Sequence, residues 1–274
     1  MKKFSSLLIL GLGTVLMTTT CKKAEDLEVD NESQTVIDYT LAHQEFCTMP
    51  GIIYKLLLRT KSASTGNYAI QNGGMSWQSG DTLTFSEPRE YSCETAAIQA
   101  AMPDGNERSG EIRVKITAQI NQPGAIVTAT LSGYTVNGIT YEAAVLSMTT
   151  VGEASNYLGV QYSVQGAQCL RNGTSFSYSG NHRLAIYYAG GPQYSTAYYT
   201  VYGKASGKSR SGLKYTAEVI KDQLKTDQCG TMSAGTAELV PDGFKPKTLN
   251  FGEGQCDDLA DFTIAENTIS FKLK

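Results

Sequence analysis

The stretch Arg108-Ser-Gly-Glu-Ile-Arg-Val-Lys-Ile-Thr-Ala118 decides the fold class, because its apolar and polar side chains alternate with a period of two. Ile112, Val114, Ile116 and Ala118 share one side of an extended chain, and charged or hydroxyl-bearing residues occupy the other. This pattern is typical of an antiparallel strand with one face in a core and one face in water.

The same alternation recurs later in the chain, at 184–188, 213–219 and 269–273. Two-residue turn signals separate such runs. They are Asn137-Gly138, Asn172-Gly173, Gly180-Asn181 and Asp242-Gly243. Asn-Gly and Asp-Gly accept the positive φ of the type I′ turns that join hairpin strands. We therefore expect residues 61–274 to form a mainly β domain, either an antiparallel β-sandwich or two related sandwich-like units.

A weak internal repeat is the reason for the second alternative. Arg108-Ser109-Gly110 is followed about 30 residues later by Asn137-Gly138, and Arg210-Ser211-Gly212 is followed at a similar distance by Asp242-Gly243. Two occurrences favour a duplication of one β unit. Ser-Gly and Asn-Gly pairs also recur in unrelated β proteins, so both interpretations stay open.

One helical segment is predicted before the strands, over residues 32–60. Asn31 can cap its first turn with Gln34 three residues on, and apolar side chains recur at helical spacing from Val36 to Phe46. Pro50 and Gly51 should interrupt the helix, because proline removes a backbone donor and glycine disfavours helix.

The N-terminus has the pattern of an export signal. Residues 1–20 combine Lys2 and Lys3 with an apolar run that ends before Cys21. This predicts a signal peptide with Cys21 as the lipidated residue, and a plain cleaved signal is the alternative. Residues 21–31 are almost wholly polar and predict a flexible tether. We expect a lipid anchor in the outer membrane of the cell envelope, with the protein exposed at the cell surface.

Four segments resemble those of a family of uncharacterised secreted lipoproteins of Bacteroidota. They are DNESQTV (30–36), RSGEIRV (108–114), GYTVNG (133–138) and NFGEGQCD (250–257). The resemblance covers nearly the whole mature chain and implies export and a β-rich body. It implies no activity, because the shared motifs are typical of turns and strands.

Composition excludes some classes of protein. The whole chain has a formal charge of −3, from 23 basic and 26 acidic residues. Removing the signal with its two lysines leaves about −5, and no segment concentrates Lys and Arg, so nucleic acid is not an expected partner. An apolar content of 41% is enough for a sizeable core and argues against disorder.

The cysteines predict a disulfide. Cys21 aside, the chain has five: Cys47, Cys93, Cys169, Cys229 and Cys256. An odd number in an oxidising compartment leaves at least one free thiol. Cys229 and Cys256 flank a hairpin-like segment and are the first choice for a pair, with other connectivities open. No C-x-x-C pair exists, and the only histidines are His43 and His182, so no metal site or cofactor is predicted.

No motif predicts an enzyme. The chain lacks a G-x-S-x-G nucleophile elbow. His182 shares the parity of an apolar strand, and His43 lies in the predicted helix without a recognisable role. A pair of carboxylates for glycoside hydrolysis would not be visible in sequence, so a carbohydrate-active hydrolase is the alternative function.

Tyrosine is the candidate binding residue, with 16 in the chain. Tyrosine rings with their hydroxyl groups can contact sugars or anchor protein interfaces, although they also fit half-buried strands. The chain is therefore interpreted as a non-catalytic cell-surface lipoprotein that binds a glycan or a surface protein. The candidate ligand-binding residues cluster in one region: Tyr187, Tyr188, Tyr194, Tyr198, Tyr199 and Tyr202.

Overall fold

The computed structural model describes residues 30–59, 68–70, 89–118, 120, 122–142, 145–154, 157–188, 197–264 and 266–273. The predicted signal peptide, Cys21, all but the last two residues of the tether, and Tyr194 lie outside the described residues. Within them, no helix has the length and apolar character needed to cross a membrane.

Two helices and fourteen strands make up the described chain. The helices are α1 (Gln34–Arg59) and α2 (Thr95–Ala101). The first seven strands are β1 (Tyr68–Ile70), β2 (Arg89–Glu94), β3 (Arg108–Ile116), β4 (Ile126–Val136), β5 (Ile139–Glu142), β6 (Val145–Ala154) and β7 (Tyr157–Arg171). The others are β8 (Thr174–Tyr188), β9 (Ala197–Lys208), β10 (Lys214–Thr226), β11 (Ala234–Pro241), β12 (Lys247–Glu253), β13 (Leu259–Ile264) and β14 (Asn267–Lys272).

All fourteen strands belong to one hydrogen-bonded sheet, in which neighbours along the chain are mostly neighbours in space. Every pairing is antiparallel except β1 with β2. Strands β5 and β6 both lie between β4 and β7, each pairing with one part of those longer strands. The prediction of a mainly β, antiparallel fold with an N-terminal helix is confirmed, with all the described strands in one continuous sheet.

The sheet encloses helix α1. From Thr35 to Leu57 every side chain is buried except those of Ile37 and Leu41, which are half-buried. A helix that is buried on all sides has no solvent-exposed face, so other elements must surround it. Aromatic side chains on different strands contact it: the ring of Phe46 stacks on Tyr178 of β8 and meets Tyr141 of β5 edge-on.

Ion pairs link the helix and the residues just before it to strands and turns of the sheet. Asp30 binds Lys247 of β12, Asp38 binds Arg210 in the β9–β10 turn, and Glu45 binds Arg108 of β3. Near the end of the helix, Lys55 pairs with Asp227 after β10. Such buried pairs are weak evidence for stability but specify one arrangement, because each charge is costly to bury alone.

Two predictions about the helix ends are wrong. The side chain that caps the first turn is Glu32 and not Asn31, since Glu32 Oε1 accepts the backbone N–H of Thr35 at 2.9 Å. Pro50 lies inside α1, which continues to Arg59. Burial of the surrounding turns outweighs the lost hydrogen bond. Gly51 is required by packing, because a Cβ there would lie 2.5 Å from Cε1 of Tyr199.

The turn signals were correct in part. Asn137-Gly138 and Asn172-Gly173 have positive φ at both residues and join β4 to β5 and β7 to β8. Gly180-Asn181 is not a turn but lies within β8. The strand needs glycine at 180, because a Cβ there would lie 2.9 Å from the hydroxyl oxygen of Tyr178 and would contact the His182 ring.

Candidate functional site

Three tyrosines on adjacent strands lie side by side on the outer face of the sheet. Tyr157 of β7 is directly opposite Tyr187 of β8, which is directly opposite Tyr198 of β9. Their inward-facing neighbours Leu158 and Ile186 are buried. Tyr157 is 36% exposed and Tyr198 is 42% exposed, while Tyr187 between them is half-buried. We call these three residues the tyrosine ladder.

The rings of the ladder cover one another's faces. The Tyr187 and Tyr198 rings are nearly parallel, with centroids 4.6 Å apart and 7° between the planes. Tyr157 and Tyr187 are 5.4 Å apart and tilted by 41°. Because these faces are occupied within the protein, the middle of the ladder offers ring edges and hydroxyl groups to a ligand.

A row of small side chains runs beside the ladder. Gly159, Ala185 and Thr200 are opposite one another on the same three strands, and all are half-buried. A Cβ at Gly159 would lie 3.8 Å from Tyr157 and 4.0 Å from Val151 Cβ. Val151 is 66% exposed. The ladder, the small row and Val151 therefore form one continuous patch across β6–β9.

A polar row borders this patch. Gln161, Arg183 and Tyr202 are opposite one another on β7, β8 and β9, and all three are exposed. Tyr202 therefore shares the outer face with Tyr187 and Tyr198. An apolar and aromatic centre beside a polar border is the usual anatomy of a protein interface.

Tyr199 is not a surface residue, which corrects the sequence-based assignment. Its position alternates with that of Tyr198, so its side chain faces inward over Gly51 and is fully buried. Its hydroxyl donates a hydrogen bond to Asp227 Oδ1 at 2.5 Å. Tyr188 is the last residue of β8, where its backbone pairs with Ala197. Tyr194 lies outside the described residues.

Sequence reasoning missed Tyr157. A signal for it exists, because the Asn172-Gly173 turn fixes the register of the β7–β8 hairpin. Counting back from that turn would place a residue near 157 opposite Tyr187, but a register shift between Val164 and Ala167 changes the count by one. A bulge of this kind cannot be located from periodicity alone.

A second group of polar side chains is buried between α1 and β8. It consists of His43, Cys47, Tyr178 and His182, which we call the histidine cluster. The Tyr178 hydroxyl oxygen is 2.8 Å from His43 Nδ1 and 2.8 Å from His182 Nε2. Cys47 Sγ is 3.5 Å from His43 Nδ1. These residues could hold a metal ion, whereas the sequence predicted no such group because its members are far apart along the chain.

Burial controls the protonation of the histidine cluster. It lowers the pKa of His43 to about 4, partly offset by a hydrogen bond to Gln223. Burial and repulsion from His43 lower the pKa of His182 to about 3. Burial also raises the pKa of the Cys47 thiol, and a hydrogen bond with Tyr178 opposes this only in part. Both imidazoles and the thiol are therefore neutral at physiological pH.

Several buried carboxylates are each bound by a cation. Asp104 accepts hydrogen bonds from Arg108 Nη1 at 2.6 Å and from Lys225 Nζ at 3.1 Å. Arg108 also binds Glu45, and Lys55 binds Asp227. Burial alone would raise the pKa of Asp104, but Arg108 and Lys225 outweigh it and hold that pKa below its usual range. Asp104 is therefore ionised, and Glu45 and Asp227 each bind a cation inside the fold.

The structure joins Cys229 to Cys256 by a disulfide, with Cα atoms 5.4 Å apart, as the sequence predicted. The remaining cysteines among the described residues, Cys47, Cys93 and Cys169, are buried free thiols. Burial, and the charge of Glu111, raise the pKa of Cys93 to about 12. A thiol with so high a pKa is unreactive.

Comparisons of the whole chain with protein-family models, with curated proteins and with solved structures found no significant match.

Proposed function

We propose that this chain is a non-catalytic lipoprotein of the bacterial cell surface that docks a partner protein on the tyrosine ladder. The observation that carries the proposal is the alignment of Tyr157, Tyr187 and Tyr198 on three adjacent strands beside a row of small residues. Stacked tyrosines have already lost side-chain freedom, so binding through them costs little further entropy.

The ring geometry favours a protein over a glycan. A sugar packs its C–H groups against the face of an aromatic ring, which carries the negative side of the ring quadrupole. Between Tyr187 and Tyr198 that face is covered at a centroid distance of 4.6 Å. Ring edges with a row of hydroxyl donors instead suit backbone carbonyls and apolar side chains of a protein, where tyrosine is enriched at hot spots.

The charge of the patch indicates what kind of partner protein would bind it. Arg183 is exposed on the polar row, and among the described residues no ion pair involves it. The ladder, the small row and the polar row contain no carboxylate on β7–β9. A partner with an Asp or Glu beside its apolar contact residues would complement Arg183, mainly by speeding association and fixing orientation.

The cellular location of the protein is also part of the proposal. A lipid on Cys21, followed by the tether over residues 21–31, would hold the domain at the outer face of the outer membrane. Residues 30–36 and the other quoted segments support placing the chain with the Bacteroidota lipoproteins. Cys21→Ser should release the protein from the membrane fraction or leave the signal uncleaved. An intact mass of the mature wild-type protein without acyl chains would contradict lipidation.

The carbohydrate-active hydrolase has less support. A glycosidase needs one carboxyl group that can donate a proton and a second that is free to attack or to activate water. Glu45, Asp104 and Asp227 are instead bound to Arg108, Lys225 and Lys55 inside the fold. This arrangement is typical of ion pairs that position structural elements.

Site-specific photo-crosslinking tests the docking proposal. A benzoyl-phenylalanine at position 151, beside the ladder, is irradiated in cells that export the full-length protein. The same group at position 269 on β14, where Ile269 is 42% exposed, is the control. We expect one protein adduct of defined mass from position 151 only, and at least a tenfold loss of it in Tyr187→Ala/Tyr198→Ala.

Other outcomes would overturn the proposal. A polydisperse polysaccharide adduct from position 151 would replace the protein partner by a glycan. Equal crosslinking from positions 151 and 269 would contradict a specific docking site on the tyrosine ladder. The thermal transition of Tyr187→Ala/Tyr198→Ala should lie close to that of the wild type. If it does not, Tyr202→Ala with the probe at position 151 gives a milder test of the same face.

A further inference from the structure

The donor atoms of the histidine cluster lie close together in the interior of the fold. His43 and Cys47 lie one turn apart on α1, and Tyr178 and His182 lie on the inner face of β8 with Gly180 between them. The ligand atoms of His43, Cys47 and His182 all lie within 4.8 Å of one another. The Tyr178 oxygen lies between the two imidazoles, at 2.8 Å from each.

The distance between the donor atoms of Cys47 and His43 is that of a tetrahedral zinc site. With Zn–N bonds of about 2.0–2.1 Å and a Zn–S bond of about 2.3 Å, two ligand atoms are about 3.3–3.7 Å apart. The observed Sγ to Nδ1 distance is 3.5 Å. The oxygen–nitrogen distances of 2.8 Å are shorter, as hydrogen bonds are, so a small outward movement of the Tyr178 hydroxyl would admit the ion.

The surroundings of His43 are those of a metal ligand. Its Nε2 is 2.5 Å from Gln223 Oε1, which can only accept a hydrogen bond. The proton of His43 is therefore on Nε2, which leaves the Nδ1 lone pair facing Cys47 and Tyr178. Metal-bound histidines characteristically donate their second N–H to an oxygen in this way, which fixes the tautomer and the ring orientation.

Unpartnered polar atoms point to a role beyond packing. Among the described residues, Tyr162 Oη, His182 Nδ1 and Gln223 Nε2 are buried without a hydrogen-bond partner. Each such group is costly to bury and needs an explanation in a native fold.

We propose that His43, Cys47, Tyr178 and His182 bind one zinc ion in the interior of the fold. Binding forms two Zn–N bonds, one Zn–S bond and one Zn–O bond. It releases the Cys47 thiol proton and the Tyr178 phenol proton to solvent, and the proton of His182 moves from Nε2 to Nδ1, which has no partner in the fold. No oxidation state changes. Zn²⁺ with one thiolate, one phenolate and two neutral imidazoles is uncharged, which suits a site that water does not reach.

The test uses the mature chain, unfolded in denaturant and refolded with one equivalent of ZnCl₂ or CoCl₂, because the buried site must be filled during folding. Excess metal is removed by gel filtration, and retained metal is measured by mass spectrometry. We expect one zinc ion per chain. With cobalt, we expect a near-ultraviolet sulfur-to-cobalt band and the intense visible bands of tetrahedral coordination.

Matched variants separate the cluster from other thiols. Cys47→Ser should lose the sulfur-to-cobalt band, whereas Cys93→Ser and Cys169→Ser, also buried free thiols, should keep it. Gln223→Leu should weaken zinc binding by about 10- to 100-fold through loss of the His43 partner. A wild-type protein that refolds without retaining zinc, or a sulfur band that persists in Cys47→Ser, would overturn the proposal. If Cys47→Ser does not fold, the zinc stoichiometry and the sulfur-to-cobalt band of the wild-type protein test the proposal by themselves.

Discussion

The guanidinium of Arg108 on β3 and the carboxylate of Glu45 on α1 form a two-pronged ion pair inside the fold. The Nε to Oε1 distance is 3.2 Å and the Nη2 to Oε2 distance is 3.0 Å. The Arg108 side chain has no exposed surface. The same guanidinium binds Asp104, and Tyr134 donates a hydrogen bond to Glu45. One residue of the sheet thus binds two buried acids, with Lys225 as the second cation on Asp104, and links the helix to β3.

Removing that guanidinium should be strongly destabilising. Arg108→Ala leaves the buried carboxylate of Glu45 without a cation and that of Asp104 with Lys225 alone, so we expect a loss of about 3–5 kcal/mol in the free energy of unfolding. Arg113→Ala is the control, because its pair with Glu111 is exposed and should contribute less than about 1 kcal/mol. Urea denaturation measures both. Similar losses in the two variants would contradict the structural role of Arg108.

Gly51→Ala should destabilise the protein although alanine favours helices. In an ordinary helix this change stabilises by about 1 kcal/mol. Here the new Cβ would lie 2.5 Å from the Tyr199 ring, so we expect a net loss of about 1–3 kcal/mol. At Gly152 a Cβ meets nothing within 4 Å, and Gly152→Ala should be nearly neutral. Thermal unfolding compares the two, and a more stable Gly51→Ala would mean that Tyr199 packs elsewhere.

Loss of the disulfide should lower stability without changing the fold. Cys229 and Cys256 are 27 residues apart in sequence, and closing such a loop reduces the entropy of the unfolded chain. Replacing both by Ala should cost about 3–4 kcal/mol in the free energy of unfolding, with an unchanged circular dichroism spectrum. Peptide mapping without reductant should recover the two cysteines in one linked fragment. A linkage of either to another cysteine would disprove the pairing.

Acid should weaken the contact that holds the start of α1. Asp30 accepts two hydrogen bonds from Lys247 Nζ at 2.8 Å. Partial burial alone would raise the pKa of Asp30, but Lys247 and the backbone outweigh it and lower that pKa. A lowered folded pKa means that the stabilisation is complete above about pH 5 and is lost as pH falls below about 4.

The variant Asp30→Asn isolates this effect. At pH 6 it should be less stable than the wild type by about 2 kcal/mol, because Lys247 is left buried with a neutral partner. The difference should shrink steadily towards pH 2.5, where the wild-type carboxyl is also protonated. Urea titrations at each pH give the difference, and a gap that does not depend on pH would show that Asp30 is not ionised in the fold.

Local alternation determined much of the β structure in advance. The period-two run in β3 and the Asn-Gly pairs after β4 and β7 predicted strands and hairpins that the structure contains. The reason is that strand faces and turn conformations depend on residues within a few positions of each other. The same logic predicted a helix near residues 32–60 and the pairing of Cys229 with Cys256.

The features that depend on distant packing were not predictable. Pro50 and Gly51 read locally as a helix end, but the Tyr199 ring and the burial of α1 decide otherwise. The sequence could not distinguish Tyr198 from Tyr199, because they are neighbouring residues of the same type. The orientation of β9 in the sheet places the side chain of Tyr198 on the outer face and that of Tyr199 in the core.

The sequence alone therefore determined the class of the fold, the hairpins at Asn137-Gly138 and Asn172-Gly173, and the expectation of export. These depend on periodicity, on turn residues and on the first twenty-one residues. Only the tertiary structure brought Tyr157 beside Tyr187, and His43 beside His182, 139 positions later in the chain. Such meetings depend on register, on bulges and on how the sheet encloses the helix. These are properties of all the contacts together, and no local window of sequence contains them.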